Sequence, residues 1–168
     1  TVEENEDYPG IHGSVTPSRG SYLDGEEITL TATPDEGFYV RGWYDAECVL
    51  LGIDRQLELV MNSNQLITIE FRMAETIDVS GGGVALTQAV SMAGNGDKLI
   101  VAPGVYQGGI DVGGKELMIT SSNPNDESVV ANTIIDCTVT GRAFTFSGDE
   151  TRRTVVNGFT VVNGYGAG

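Results

Sequence analysis

Residues 85–106, "ALTQAVSMAGNGDKLIVAPGVY", change hydrophobic period partway along, and this constrains the fold more than any other stretch. Leu86, Ala89, Val90 and Ala93 stand at i, i+3, i+4 and i+7, which predicts one apolar stripe on a helix of about three turns. Gly94 and Gly96 predict its end through positive φ. Leu99 and Val101 then alternate as in a strand, and Pro103-Gly104 predicts a turn that closes it. A helix this short, leading straight into a strand, is expected to cover the end of a sheet.

Strand-like pieces recur after it: "LIVA", "GIDV", "ELMITSS", "TIIDCTV", "AFTFSG" and "GFTVVNG", separated by Gly, Asn, Asp and Pro. Their apolar centres return after roughly 18 to 25 residues, the coil length of a solenoid. "TIIDCTV" and "TVVNGFTVV" read as successive copies of one strand, which puts Asp136 and Asn157 in equivalent places, each turning the backbone or joining a side-chain ladder. A single coil cannot bury its apolar face, whereas stacked coils form a continuous core. The first coil needs a cover over its open edge, and the 85–93 helix supplies one.

The chain up to about Arg72 follows a different grammar. "GSVTPS", "EEITLTATP", "GFYVRGWYD", "QLELVM" and "QLITIEFR" alternate apolar and polar residues, with Val15, Ile28, Leu30, Ala32, Phe38, Val40, Trp43, Leu57, Leu59, Met61, either Leu66 or Ile67, Ile69 and Phe71 as core candidates. The breaks "RGSYLDGEE", "TPDEG" and "MNSNQ" are turn chemistry. A small antiparallel β domain is expected. The 23 glycines, about twice the usual share, agree with a turn-rich β protein.

A formal charge of −15 argues against nucleic acid or an anionic membrane as partner. It suits an exported protein, or one that meets divalent cations. No apolar run approaches the roughly 18 residues of a membrane span, and no basic-then-apolar signal peptide opens the chain. "TVEENEDYPG" reads as a linker or a trimmed end. Cys48 and Cys137 fall in different halves and predict buried free thiols, not a bridge.

Two resemblances follow. Gly13, Val15, Pro17, Tyr22, Gly25, Ile28, Leu30, Ala32, Pro34, Gly37, Phe38, Val40 and Trp43 fit the pattern of the divergent internalin-type B repeat of bacterial surface proteins. That resemblance implies a β-grasp-like module used as a spacer or adhesive unit in exported proteins, with no catalytic residues. Leu86, Ala89, Ala93, Gly96, Asp97, Leu99, Val101, Gly104 and Tyr106 resemble the capping helix and first strand of the right-handed parallel β-helix, pectin-lyase-like family. The resemblance implies the first three or four coils of a longer β-helix. The fold expected is therefore mainly β: a flexible segment over 1–9, a B-repeat-like domain over 10–74, and the capped N-terminal coils of a β-helix over 75–168.

The chemistry is sparse. The β-helix fold hosts lyases, hydrolases, esterases and plain adhesins, so fold alone names no activity. Trp43 could stack on a sugar, although the repeat family keeps this position in its core. Asn123, Asn125, Asp126 and Glu127 offer oxygens of the kind calcium prefers, and a solvated turn explains them equally. His12, the single histidine, lacks a second ligand and reads as an ordinary surface residue. "DETRR", Asp149 to Arg153, could dock a neighbouring coil or a sugar carboxylate, with a solvated loop the default. The glycines Gly81 to Gly83 free the chain to turn before the helix. No nucleophile or general base stands out.

The expectation is a non-catalytic fragment of a secreted or cell-surface bacterial protein, a spacer or adhesive scaffold linked to carbohydrate binding. No cofactor is expected, calcium being the one candidate, and polysaccharide or other cell-surface components are its expected partners. The alternative is the N-terminal part of a polysaccharide-degrading enzyme whose catalytic coils lie beyond residue 168. An unpaired edge near Phe159 to Val162 predicts self-association.

Overall fold

A computed structural model describes residues 2–4, 12–147 and 152–165. The chain divides into two compact units, Thr1–Ala74 and Glu75–Gly168. Both are mainly β.

The first unit contains β1 (Val2–Glu4), β2 (Gly13–Thr16), β3 (Glu26–Pro34), β4 (Phe38–Tyr44), β5 (Leu50–Gly52), β6 (Gln56–Met61) and β7 (Ile67–Met73). They form two sheets, ordered β1-β7-β4-β5 and β2-β3-β6. Every pairing is antiparallel except β1 with β7, which run parallel. Part of the segment expected to be flexible thus joins a sheet.

Alternation places Leu30 and Ala32 of β3, Leu57 of β6, and Ile67 and Ile69 of β7 in one core with Val15, Val40 and Trp43. Trp43 breaks the period of two that starts at Phe38 and Val40. The reason is a bulge: Val40 pairs with Phe71 and Gly42 with Glu70, so Arg41 is the extra residue. The phase shifts by one, and Trp43 faces inward opposite Ile69.

The second unit contains β8 (Thr76–Val79), α1 (Ala85–Met92), β9 (Lys98–Val101), β10 (Gly104–Gln107), β11 (Ile110–Asp111), β12 (Met118–Ser121), α2 (Glu127–Asn132), β13 (Thr133–Asp136), β14 (Phe144–Thr145), β15 (Val155–Asn157) and β16 (Thr160–Val162). All of its strand pairings are parallel. The three sheets are ordered β15-β12-β9-β8, β10-β13-β16 and β11-β14. Following the chain, β9, β10 and β11 enter the three sheets in turn, β12, β13 and β14 repeat the circuit, and β15 and β16 begin it again.

Register turns this circuit into columns of like side chains. Ile77 pairs with Leu99, Leu99 with Ile119, and Ile119 with Val156. Tyr106 pairs with Ile135, and Ile110 with Phe144. Neighbouring strands lie about 4.8 Å apart, so each column is a continuous run of apolar contact. Leu99, Ile119, Ile135, Tyr106 and Ile110 are all fully buried in one cluster.

The register corrects two expectations. "TIID" lies in β13 and pairs with Tyr106 and Val161, whereas "VVN" of β15 pairs with β12. Asp136 and Asn157 therefore sit in different sheets and are not equivalent. The repeat also runs longer than roughly 18 to 25 residues between Met118 and its partner Val155, because α2 and the 137–143 loop are inserted in that circuit.

Helix α1 packs against β8 and β9 of the first sheet and against β10 and β11, the first strands of the other two. Its stripe is as spaced in the sequence: Leu86, Val90 and Ala93 are buried and Ala89 is half-buried against the same cluster. Eight residues are too few to hold a helix in water alone. Burial of Leu86 and Val90, about 1.5–3 kcal/mol each, holds it here.

The helix is shorter than three turns because Ala93 already has extended backbone, with ψ 146°. Gly94 has no positive φ, while Gly96 turns the chain at φ +86°. Asp97 fixes the exit. Its Oδ2 accepts the Gly94 N–H and its Oδ1 the Glu75 N–H, both at 2.8 Å, so one buried carboxylate ties the end of the helix to the start of the unit.

Candidate functional site

The residues singled out in the sequence are scattered through the two units. Trp43 is wholly buried, and its indole N–H donates to the Asp54 carbonyl at 2.7 Å. A sugar therefore has no exposed face of this ring on which to stack; the position serves packing. His12 lies flat on Phe38 at 3.9 Å between ring centroids, half-buried rather than an open surface group.

Asp126 is the N-cap of α2: its Oδ1 accepts the N–H groups of Ser128 at 2.8 Å and Val129 at 3.3 Å. Asn123 Oδ1 accepts the Asn125 N–H at 3.3 Å. The oxygens considered for calcium thus shape a turn and start a helix. Among the described residues no group of three or more His, Cys, Asp or Glu side chains could hold a metal ion. The helix itself, "ESVVAN", went unread because six residues with no buried side chain carry no amphipathic period.

Of "DETRR", Asp149, Glu150 and Thr151 lie outside the described residues; Arg153 reaches Glu116 at 3.7 Å, within its own unit. Cys48 and Cys137 are free thiols, Cys48 exposed rather than buried. Burial raises the Cys137 pKa, and Asp136 adds to the rise. In the Gly81–Gly83 run, Gly82 has φ +66°, and a Cβ there would stand 2.7 Å from the Val105 carbonyl oxygen. Glycine is needed at this corner for close approach, and the next residue continues it: Gly83 N–H donates to that same carbonyl.

Two polar arrangements stabilise the second unit. Asp136 Oδ1 accepts from Asn163 Nδ2 at 2.9 Å and from the Thr138 hydroxyl at 2.6 Å and N–H at 2.9 Å. These bonds, Asn163 first, hold its pKa below the usual carboxylate value. Lys115 Nζ donates to the carbonyls of Val90, Ser91 and Ala93 at the end of α1. Burial lowers its pKa, while Asp97 and Asp111 act the other way.

A cleft that the sequence patterning does not reveal lies within the first unit. The "RGSYLDGEE" turn after β2 and the "MNSNQ" turn between β6 and β7 face each other across a cleft of about 640 Å³. That volume falls within the range of about 300–1,000 Å³ typical of small-molecule sites. The floor is apolar, with Ile28 and Leu59 from the paired strands β3 and β6. The rim carries Arg19, Tyr22, Asp24, Asn62 and Asn64. The signal available was two polar turns flanking strands that pair with each other, which places both turns at one end of a sheet.

The family model described as the divergent InlB B-repeat domain matches residues 7–75. This agrees with the resemblance read from Gly13 through Trp43. No curated protein and no solved structure matches the chain.

Proposed function

We propose that the chain is a non-catalytic part of an exported bacterial surface protein: a β-grasp-like spacer or adhesive module followed by the capped start of a right-handed parallel β-helix, linked to carbohydrate binding. The observation that carries this reading is the match of residues 7–75 to the B-repeat family model, a type of module that occurs in surface proteins. The β-helix reading draws its support from the circuit of strands through three parallel sheets and from the columns Ile77–Leu99–Ile119–Val156. The acidic charge of −15 suits a protein that must remain dispersed outside the cell.

Among the described residues no helix is long and apolar enough to cross a membrane. Among the described residues β15 and β16 stand at the edges of their sheets, and self-association of this chain through them is part of the proposal. The exported reading is tested by an antibody against this chain applied to fractions of the organism that encodes it. Labelling of the medium or cell envelope is expected; labelling confined to the cytoplasm overturns it.

A further inference from the structure

We infer that the cleft between the 17–24 and 61–65 turns of the first unit is a binding site for a neutral saccharide. This rests on the carbohydrate-linked reading above for its choice of probes, and on the cleft alone for its location.

A pyranose ring has one face of C–H groups and an equator of hydroxyls. It is best met by an apolar surface beneath and by groups around the rim that both donate and accept. Ile28 and Leu59 supply the apolar floor. Asn62 and Asn64 each offer a carbonyl and an amide N–H₂, Tyr22 a hydroxyl, Asp24 two acceptors and Arg19 a donor fork. No hydrogen bond or ion pair links these five side chains to any described residue, so their bonding capacity faces the cleft or water. Their number is what a ligand with several hydroxyls can use.

The Tyr22 ring is also placed. A Cβ on Gly20 would stand 2.5 Å from Tyr22 Cζ and Oη. The tip of the Tyr22 ring therefore lies over the turn at Gly20, where it forms an aromatic wall of the cleft. Charge decides the ligand's sign. Arg19 and Asp24 offset each other at the rim, and the chain as a whole, at −15, repels polyanions. Uronic acids and phosphorylated ligands are therefore disfavoured against neutral sugars.

The test is saturation-transfer NMR and calorimetry of the whole chain with maltotriose, cellotriose, mannotriose and chitotriose, run beside galacturonate trimer. Binding of at least one neutral trimer is expected, with transfer strongest to ring C–H protons and little or none to the galacturonate. Tyr22→Ala and the double variant Asn62→Ala/Asn64→Ala are each expected to weaken binding about tenfold, the loss of one or two hydrogen bonds and a ring contact. Gly20→Ala is expected to weaken it through displacement of Tyr22. Binding that none of these variants changes overturns the site while leaving the carbohydrate-linked reading standing. Absence of binding to every neutral trimer, or preference for galacturonate, overturns the assignment of ligand class.

Discussion

Lys115 Nζ donates to the carbonyl oxygen of Val90 at 2.6 Å, across 25 positions of sequence. With the bond to Ala93 at 3.1 Å, it serves as the C-cap of α1, whose last turn holds no basic residue of its own. A cation there also meets the negative end of the helix. Lys115→Met keeps the apolar stem and removes the charge. It is expected to destabilise the second unit by about 1–2 kcal/mol, with faster amide exchange at Ala89 to Ala93 and no change in exchange within Ile67–Met73. Equal protection in the variant would deny the cap.

The single tryptophan, Trp43, is at 0% exposure, so its emission reports the first unit alone. Emission is expected to be blue-shifted in the folded protein and to shift red in one step with urea. Trp43→Phe loses the bond to Asp54 and leaves a void; a loss of about 2–4 kcal/mol is expected from cavity and hydrogen-bond costs together. An unchanged urea midpoint for the first unit, followed by tyrosine signals, would contradict the core placement.

Much of this was legible in the sequence, because alternation and the 86-89-90-93 stripe are direct projections of burial. The core faces of β3 and α1 could be read residue by residue; in β6 the alternation adds Met61, which lies outside the core cluster, and the phase of β7 stands open between Leu66 and Ile67. What could not be read was long-range or local in ways that periodicity does not encode. The bulge at Arg41 changes phase within β4. The register that separates Asp136 from Asn157 depends on how many residues the 137–143 loop absorbs. Lys115 looked like any turn lysine, and the rim of the cleft looked like ordinary turns, because each acquires its role from a partner far away in the chain.

Asp136 gives a pH dependence. Its folded-state pKa lies below the ordinary aspartate value of about 3.9. The unfolded chain therefore binds the proton more readily, and the stability this group contributes is present above about pH 4 and lost as pH falls through the folded value. Asn163→Ala removes the largest cause, so the Asp136 carboxyl, followed by NMR, is expected to titrate closer to the ordinary value. The acid loss of stability shrinks with it. A titration identical in both proteins would show that Asn163 does not hold the charge.

The outer edge of the parallel sheets exposes apolar side chains: Val161 is 52% and Val155 38% exposed, although both stand in strands. Sedimentation velocity at rising concentration is expected to show self-association, and Val161→Lys to reduce it by placing charge on the edge. A strict monomer throughout would remove this proposal.

The second unit stacks parallel strands in three sheets beneath α1. Cross-strand NOEs on a ¹³C/¹⁵N-labelled sample test it most directly. Amide–Hα contacts are expected to link Leu99 to Ile119 and Ile119 to Val156 in parallel register, with Leu86 methyl contacts to residues of β9 to β11. Close Hα–Hα contacts of antiparallel pairing among these strands, or a Leu86 side chain without contacts to them, would contradict it.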